Sequence, residues 1–273
     1  MARLGVYHLV RKANGPAPFQ AFVRSLRAAP PRGDWGLVLI FKGFDGEPDA
    51  RPYLEVAAGL PVTPVFVSDR GVDITAYFAA AARTHFETLV FFNSYCELLD
   101  PRWCAIYEAA LAQPEVGLVG ATGSLESVVR NHVVYGQTSR GVVAKAQKYA
   151  LAGGLLALFP PFPNAHVRTN AFMIHREQFL ATKRFPVGNR LAALVYESGW
   201  LSLTRQIQAM GLRVLVVNRD GHGLPPDEWA DAGTFRSGTV DKLLVSDNRT
   251  REYLEAPEPR QRLLRSLAYG DQR

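Results

Sequence analysis

The sequence predicts an α/β fold with a mostly parallel central sheet flanked by helices. Continuous apolar runs at residues 37–41 and 88–92 are typical of strands that are buried on both faces. Apolar residues at helical spacing, such as Phe19, Phe22 and Leu26, lie between such runs. Strands that alternate with helices pair in parallel through right-handed crossovers. No internal repeat or low-complexity linker divides the chain of 273 residues.

The elements are predicted in order from these two patterns. Strands are expected at residues 6–10, 37–41, 64–67, 88–92, 115–121, 171–174 and 214–217. Helical spacing follows the first, third and fourth of them, and it occurs again at residues 142–150 and 200–210. The last helix is expected to open at Tyr196.

Polar residues follow the fourth strand directly. Asn93 and Ser94 end the apolar run, and a carboxylate follows at Glu97. Asp100 before a proline predicts the N-cap of the next helix. In open α/β sheets, ligands bind outside the carboxyl ends of the strands. The loop after this strand is therefore predicted to line a ligand site.

The chain is basic, with 31 Lys and Arg against 25 Asp and Glu. A charge of +6 suits an acidic ligand such as a nucleotide, an anionic lipid surface or a nucleic acid. Its positive residues are scattered instead of being grouped with aromatic residues, which argues against binding to single-stranded nucleic acid. Cys96 and Cys104 do not form the pattern of a disulfide framework, so a cytoplasmic location is expected.

An apolar stretch at residues 151–159 follows the helix-spaced residues 142–150, which include Lys145 and Lys148. One interpretation is an amphipathic patch that contacts a membrane or a lipid-linked acceptor. The alternative is a helix that packs on the sheet. Peripheral membrane association is therefore one expectation beside a cytoplasmic location.

The segment from Phe91 to Glu97 resembles the acidic segment of family 2 glycosyltransferases with the GT-A fold, and the resemblance extends over roughly residues 4–220. It implies that a sugar is transferred from a nucleotide-diphosphate donor. In that family the acidic segment holds a divalent metal, so the resemblance implies Mg²⁺ or Mn²⁺ at Glu97, with His222 as a second ligand. Tyr95 stands where the family has its first aspartate.

A second segment resembles the acidic helix of the same family. Glu197 matches its first acidic residue, Arg205 and Gly211 match downstream, and Ser198 stands where an aspartate is usual. In inverting members a carboxylate here removes the proton of the acceptor hydroxyl, so the resemblance implies that Glu197 is the base. The alternative is a glutamate in the first turn that stabilises the helix through its dipole.

The resemblance also implies roles for polar residues after the other strands. The implied ligands of the nucleotide sugar are Asp45, Asp69, Asp73, Asn93 and Glu97, with Arg236 and Arg249 on the diphosphate. Arg168, Thr169 and Asn170 are implied to contact the acceptor, which is a glycan, a lipid-linked compound or a small molecule.

Residues 1–225 are predicted to form the catalytic domain, and residues 226–273 an extension or lid that packs on it. Two alternatives stay open at this stage. One is a GT-A-like module that binds a nucleotide or glycan without transfer, because Tyr95 and Ser198 replace aspartates. The other is a protein directed to nucleic acid, which only the net charge supports.

Overall fold

The computed structural model describes residues 3–135, 151–183 and 189–271. The strands are β1 (Leu4–Arg11), β2 (Trp35–Lys42), β3 (Val62–Val67), β4 (Thr88–Phe92), β5 (Glu97–Leu98), β6 (Val116–Gly120), β7 (Gly123–Ser124), β8 (His166–Val167), β9 (Ala171–His175), β10 (Arg213–Val217), β11 (Gly223–Leu224) and β12 (Val245–Ser246). The helices are α1 (Pro16–Ala28), α2 (Glu47–Val56), α3 (Asp73–Arg83), α4 (Trp103–Leu111), α5 (Val128–Tyr135), α6 (helical at 151–156), α7 (Arg176–Ala181), α8 (Arg190–Ser198), α9 (Leu203–Ala209), α10 (Asn248–Glu255) and α11 (Glu258–Tyr269).

Within the described residues, eight strands form one sheet in the order β11-β10-β6-β9-β4-β1-β2-β3. The pairs that β1 makes with β2 and β4 are parallel, as are β2 with β3 and β6 with β10. Only β9, between β4 and β6, and the edge strand β11 run antiparallel to their neighbours. The sequence-based prediction of a mostly parallel sheet is confirmed, and each predicted strand is present.

Helices cover both faces of the sheet, which is why its central strands are apolar throughout. Side chains alternate between the two faces along a strand. Val6 and Val10 of β1 accordingly pack in one core cluster with α1 and α4. Tyr7 and Leu9 pack in a second cluster with α3, α7, α8 and α9. The rigid sheet therefore fixes the positions of the loops at its carboxyl ends.

Two predicted helix starts are wrong. Asp100 is not the N-cap of α4, because the helix begins only at Trp103 and its N-cap is Arg102; the Asp100 carboxylate accepts hydrogen bonds from the backbone and the guanidinium of Arg102 in the turn before the helix. Glu197 does not open a helix but lies in the last turn of α8. Asn189 caps α8, and Ser202 caps the separate helix α9 through the N–H of Arg205.

The apolar stretch at residues 151–159 belongs to a small cluster beside the sheet. Ala152 and Phe159 are buried against residues of α5 and α8. Leu151 and Leu156 are exposed. The helix expected at residues 142–150 lies outside the described residues. Among the described helices, none has the length and apolar character that crossing a membrane requires.

The C-terminal segment packs on the same core as the sheet. Leu244 and Val245 join the cluster on one face, whereas Trp229 and Tyr269 join the cluster on the other. Strand β12 pairs with β5, directly after the loop that follows β4. This pairing brings α10 to the carboxyl ends of the central strands.

Candidate functional site

A cavity of about 630 Å³ lies at the carboxyl ends of the central parallel strands. Arg11 and Lys42 are the last residues of β1 and β2, and Asn93 directly follows β4. The loop between β8 and β9 contributes Arg168, Thr169 and Asn170, and the wall is completed by Asp73, Tyr77, Arg190, Glu197, Asn248 and Arg249. We call this space the large cavity. Its place at the strand ends is where the sequence predicted a ligand site.

The wall of the large cavity is strongly basic. It carries five positively charged side chains and two carboxylates, which are Arg11, Lys42, Arg168, Arg190, Arg249, Asp73 and Glu197. Lys42 is almost fully buried, and its ammonium group donates to the carbonyl of Gly71 at 2.8 Å and pairs with Asp73 at 3.2 Å. An excess of positive charge in a concave site favours an anionic ligand.

The three aspartates predicted to bind the nucleotide lie in different places. Asp73 lines the large cavity beside Lys42. Asp69 does not line it but pairs with Arg11 at 3.6 Å. The Asp45 side chain is 94% exposed and pairs with Lys12 at 3.5 Å. Only Asp73 is therefore placed to touch a ligand in this cavity directly.

The loop after β4 is a turn held by Asn93. The Asn93 side-chain oxygen accepts from the N–H of Tyr95 at 2.9 Å, and the Asn93 N–H donates to the carbonyl of Asn170 at 2.8 Å. Glu97, in β5, lies outside the large cavity, and its carboxylate accepts from Arg251 at 3.0 Å. The guanidinium of Arg251 also donates to the carbonyl of Tyr95 at 3.0 Å.

The predicted metal ligands are not brought into a metal site. His222 is exposed in the turn between β10 and β11, and neither it nor Glu97 lines the large cavity. Across residues 3–135, 151–183 and 189–271, no three or more His, Cys, Asp or Glu side chains converge as ligands. A hard dication requires several oxygen ligands. The side chains around Glu97 therefore do not fit Mg²⁺ or Mn²⁺.

A buried ion pair fixes the loop between β8 and β9. Arg168 donates to Asp247 at 2.9 Å, and Asp247 is fully buried. Burial opposes ionisation of Asp247, but the charge of Arg168 and hydrogen bonds from Thr250 outweigh burial and hold the pKa of Asp247 below its usual value. The Arg168 guanidinium also lies over the ring of Phe235, 4.1 Å from its centroid.

Asn170 lines the large cavity and is 4% exposed. Its side-chain oxygen accepts from the hydroxyl of Thr122 at 2.8 Å. Its side-chain nitrogen has no hydrogen-bond partner among the described residues. Buried polar groups are usually hydrogen-bonded, so this nitrogen is an exception among the residues of the cavity wall.

A second cavity of about 350 Å³, the small cavity, adjoins the large one. Both are lined by Arg168, Glu197 and Arg249. The net charge of the small cavity is closer to zero than that of the large cavity. Its charged side chains are four arginines and three glutamates, namely Arg168, Arg236, Arg249, Arg260, Glu126, Glu197 and Glu252. Leucines of α8 and α11 add apolar surface, so this space suits a less strongly charged ligand.

Glu197 stands on the wall that the two cavities share. Its carboxylate makes no hydrogen bond or ion pair with another described residue. It also lies in the last turn of α8, where the negative end of the helix dipole disfavours a negative charge. The alternative of a first-turn glutamate that stabilises its helix is therefore wrong.

Arg236 lines the small cavity only and is 7% exposed. Its backbone adopts a φ of 51°, in the left-handed region that a non-glycine residue seldom occupies. Burial lowers the pKa of its guanidinium, and Glu126 at 3.4 Å partly opposes this effect. Of the two predicted diphosphate partners, only Arg249 reaches the large cavity.

The sequence-based reasoning missed several residues of the two walls. Arg11 and Lys42 end apolar strands, so their position alone could have indicated them. Arg190 carried no such signal. His166 lines the small cavity, where burial lowers its pKa and its Nδ1 lies 2.8 Å from the carbonyl of Asn164.

No protein-family model matches the chain, and no curated protein sequence is similar to it. The structure resembles the mannosyltransferase from Pyrobaculum calidifontis in complex with GDP-Man and Mn²⁺, with a TM-score of 0.52 and 16% identity over 86% of this chain. The chain has the GT-A fold. It spans 60% of the length of that mannosyltransferase.

Other similar structures include S. aureus TarS 1–349, with a TM-score of 0.49 and 9% identity over 97% of this chain and 70% of that one. GalNAc-T7 with UDP, GalNAc and Mn²⁺ has a TM-score of 0.49 and 15% identity over 80% of this chain and 42% of that one. The likeness to the mannosyltransferase confirms the GT-A fold predicted from the sequence, while membership of family 2 stays a prediction.

Proposed function

We propose that the chain transfers a sugar from a nucleotide-diphosphate donor to a hydroxyl group of an acceptor. The observation that carries the proposal is the position of Glu197 on the shared wall, where its carboxylate makes no hydrogen bond or ion pair with another described residue. The GT-A fold supports it, because the similar mannosyltransferase structure is a complex with GDP-Man and Mn²⁺.

The large cavity is assigned to the donor. Five positive charges against two carboxylates favour a ligand with a diphosphate. Arg11 and Lys42 end β1 and β2, and Asp73 is the first residue of α3; all three would contact the nucleoside. The small cavity is assigned to the acceptor, which is a glycan, a lipid-linked compound or a small molecule.

This division gives Glu197 the role of base. Its carboxylate takes the proton of the acceptor hydroxyl while that oxygen bonds to the anomeric carbon. The bond from the anomeric carbon to the diphosphate oxygen breaks in the same step, and the positive wall stabilises the leaving diphosphate. A single displacement of this kind inverts the anomeric configuration.

The test is the substitution Glu197→Gln, which keeps the shape of the side chain but removes its basicity. A panel of sugar nucleotides with mixed glycan acceptors is assayed for release of the nucleoside diphosphate. We expect transfer to fall by about 10²–10⁴-fold, while calorimetry shows unchanged donor binding. Proton NMR of the product reports its anomeric configuration.

Glu177→Gln is the matched control, since Glu177 is exposed on α7 and lines neither cavity. It should transfer at the wild-type rate. Full transfer by the Glu197→Gln protein would show that Glu197 is not the base.

A second candidate function is a module that binds a nucleotide or glycan without transfer. The observation that favours it is Tyr95 at the position of an acidic residue, together with the pairing of Glu97 with Arg251. Binding of a nucleotide with no turnover of any donor would support this alternative, and turnover of one donor would rule it out.

A further inference from the structure

In the loop after β4, the positive charge beside Glu97 is a side chain of the protein itself, Arg251. Arg251 donates to the Glu97 carboxylate at 3.0 Å, to the carbonyl of Tyr95 at 3.0 Å and to the hydroxyl of Ser246 at 3.2 Å. Carboxylate and carbonyl oxygens are the ligands that hard dications use. Here the guanidinium already bonds to one oxygen of the Glu97 carboxylate and to the Tyr95 carbonyl, so it competes with a metal ion for these ligands.

Two arginine side chains supply positive charge to the large cavity. Arg249 and Arg190 line it from the first turns of α10 and α8. Arg249 is 56% exposed and pairs with Glu252 on its own helix at 2.8 Å. Arg190 forms no ion pair with a described residue. Both guanidinium groups are therefore accessible to a ligand.

The N-terminus of α10 lies at the same wall. Asn248 and Arg249, its first two residues, line the large cavity. The Asp247 side chain caps the N–H of Thr250 at 2.8 Å, and Arg168 and Thr250 fix Asp247 in turn. A helix N-terminus carries partial positive charge and favours phosphate groups.

An independent observation points to a ligand at this wall. Asn170 lines the same cavity and is 96% buried, and its side-chain nitrogen lacks a partner among the described residues. An oxygen acceptor from a ligand would satisfy it. Arginines, a helix N-terminus and an amide donor together form a site for a multiply charged oxyanion.

We propose that Arg190, Arg249, the N-terminus of α10 and the Asn170 amide bind the donor diphosphate without a divalent metal ion. The proposal rests on the proposed function, in that the donor is a nucleotide diphosphate. The proposal goes beyond the proposed function because it assigns the positive charge that neutralises the diphosphate to side chains and backbone groups of this chain.

The first experiment titrates the full chain with UDP, GDP, ADP, CDP and dTDP by calorimetry, once with EDTA and once with Mn²⁺. We expect one of them to bind with the same affinity in both conditions. Binding that requires Mn²⁺ would overturn the metal-free site and leave the proposed function standing. If none of the five nucleotides binds in either condition, both the metal-free site and the proposed function are wrong.

The second experiment compares Arg249→Ala with Arg262→Ala under EDTA. Arg262 is a matched control, because it is also exposed and paired within its own helix but lines neither cavity. Hydrogen bonds to charged groups predict that Arg249→Ala weakens nucleotide binding by about tenfold or more, whereas Arg262→Ala leaves it unchanged. Arg190→Ala should weaken it independently. Wild-type affinity in both cavity variants would overturn the proposal.

Discussion

At the scale of single residues, the most unusual buried group is His8 in β1. Its imidazole stacks on Phe22 with ring centroids 3.8 Å apart and an angle of 8° between the rings. Neither ring nitrogen has a partner among the described residues. Burial lowers the pKa of His8 to about 3, so the folded protein holds the imidazole neutral.

This lowered pKa predicts a pH dependence of stability. Below about pH 6.5 the unfolded chain binds a proton that the folded chain does not, so the free energy of unfolding falls as the pH drops from about 6.5 toward about 3. The expected loss between pH 8 and pH 5 is about 2 kcal/mol from this group.

The substitution His8→Phe should remove this part of the pH dependence, because a phenyl ring keeps the stacking and has no proton to bind. Urea unfolding at the two pH values measures the difference. The control is His85→Phe, since His85 is exposed in the loop before β4. An unchanged slope in the His8→Phe protein would contradict the prediction.

At the residue scale, the end of an apolar strand predicted one residue of the site correctly, because Asn93 lines the large cavity. The resemblance added Asp73 and Arg168–Asn170, which line the same cavity, but also Asp45 and Asp69, which do not. Glu197 was named by resemblance, but the helix around it was misplaced. Arg190 could not be found, because only the folded chain brings the start of α8 to the strand ends.

At the scale of elements, two ion pairs from the N-terminal part of α10 connect it to the loop before β9 and to β5. Asp247, its N-cap, pairs with Arg168 of the loop before β9, and Arg251 pairs with Glu97 of β5. The first pair is buried, so removing one partner leaves an uncompensated charge in the core.

Asp247→Ala should therefore lower the free energy of unfolding by about 3–5 kcal/mol. Thr250→Val keeps the ion pair but removes the two hydrogen bonds of the Thr250 hydroxyl, which accepts from the N–H of Asp247 and donates to its carbonyl, and it should cost roughly 1–3 kcal/mol. Urea denaturation of both variants measures the two losses of unfolding free energy and shows which is larger. A cost for Asp247→Ala no larger than that for Thr250→Val would show that the ion pair with Arg168 contributes little.

The limits of prediction at this scale have a physical cause. Thr88–Phe92 was located correctly because a continuous apolar run has sharp polar ends. Helices α8 and α9 were confused because their apolar residues continue one another at helical spacing across Gly199 and Ser202. The pairing of Glu97 with Arg251 spans 154 residues and leaves no local pattern.

At the scale of the whole molecule, we propose that residues 226–271 belong to the same folding unit as the sheet. Trp229 and Leu244 are fully buried in the two core clusters. The Tyr269 hydroxyl lies 3.2 Å from the carbonyl of Gly123, in β7. A lid that only covers the site would not fill the core in this way.

A chain that ends at residue 225 should therefore fail to unfold cooperatively, because it exposes both clusters. A chain shortened only by its last two residues should behave as wild type. Circular dichroism and tryptophan fluorescence during heating test both, and coincident transitions would indicate a single unit. A cooperative transition in the shorter chain would instead show that residues 226–273 form a separable lid.

The contact between Arg251 and Glu97 has a consequence for the surroundings in which the protein can work. An ion held by mass action fills its site only as far as its free concentration allows. A guanidinium carried by the chain is present at one per molecule whatever the supply of manganese or magnesium. Removing these ions with a chelator, or working where they are scarce, would then leave the charge around Glu97 and Arg251 unchanged.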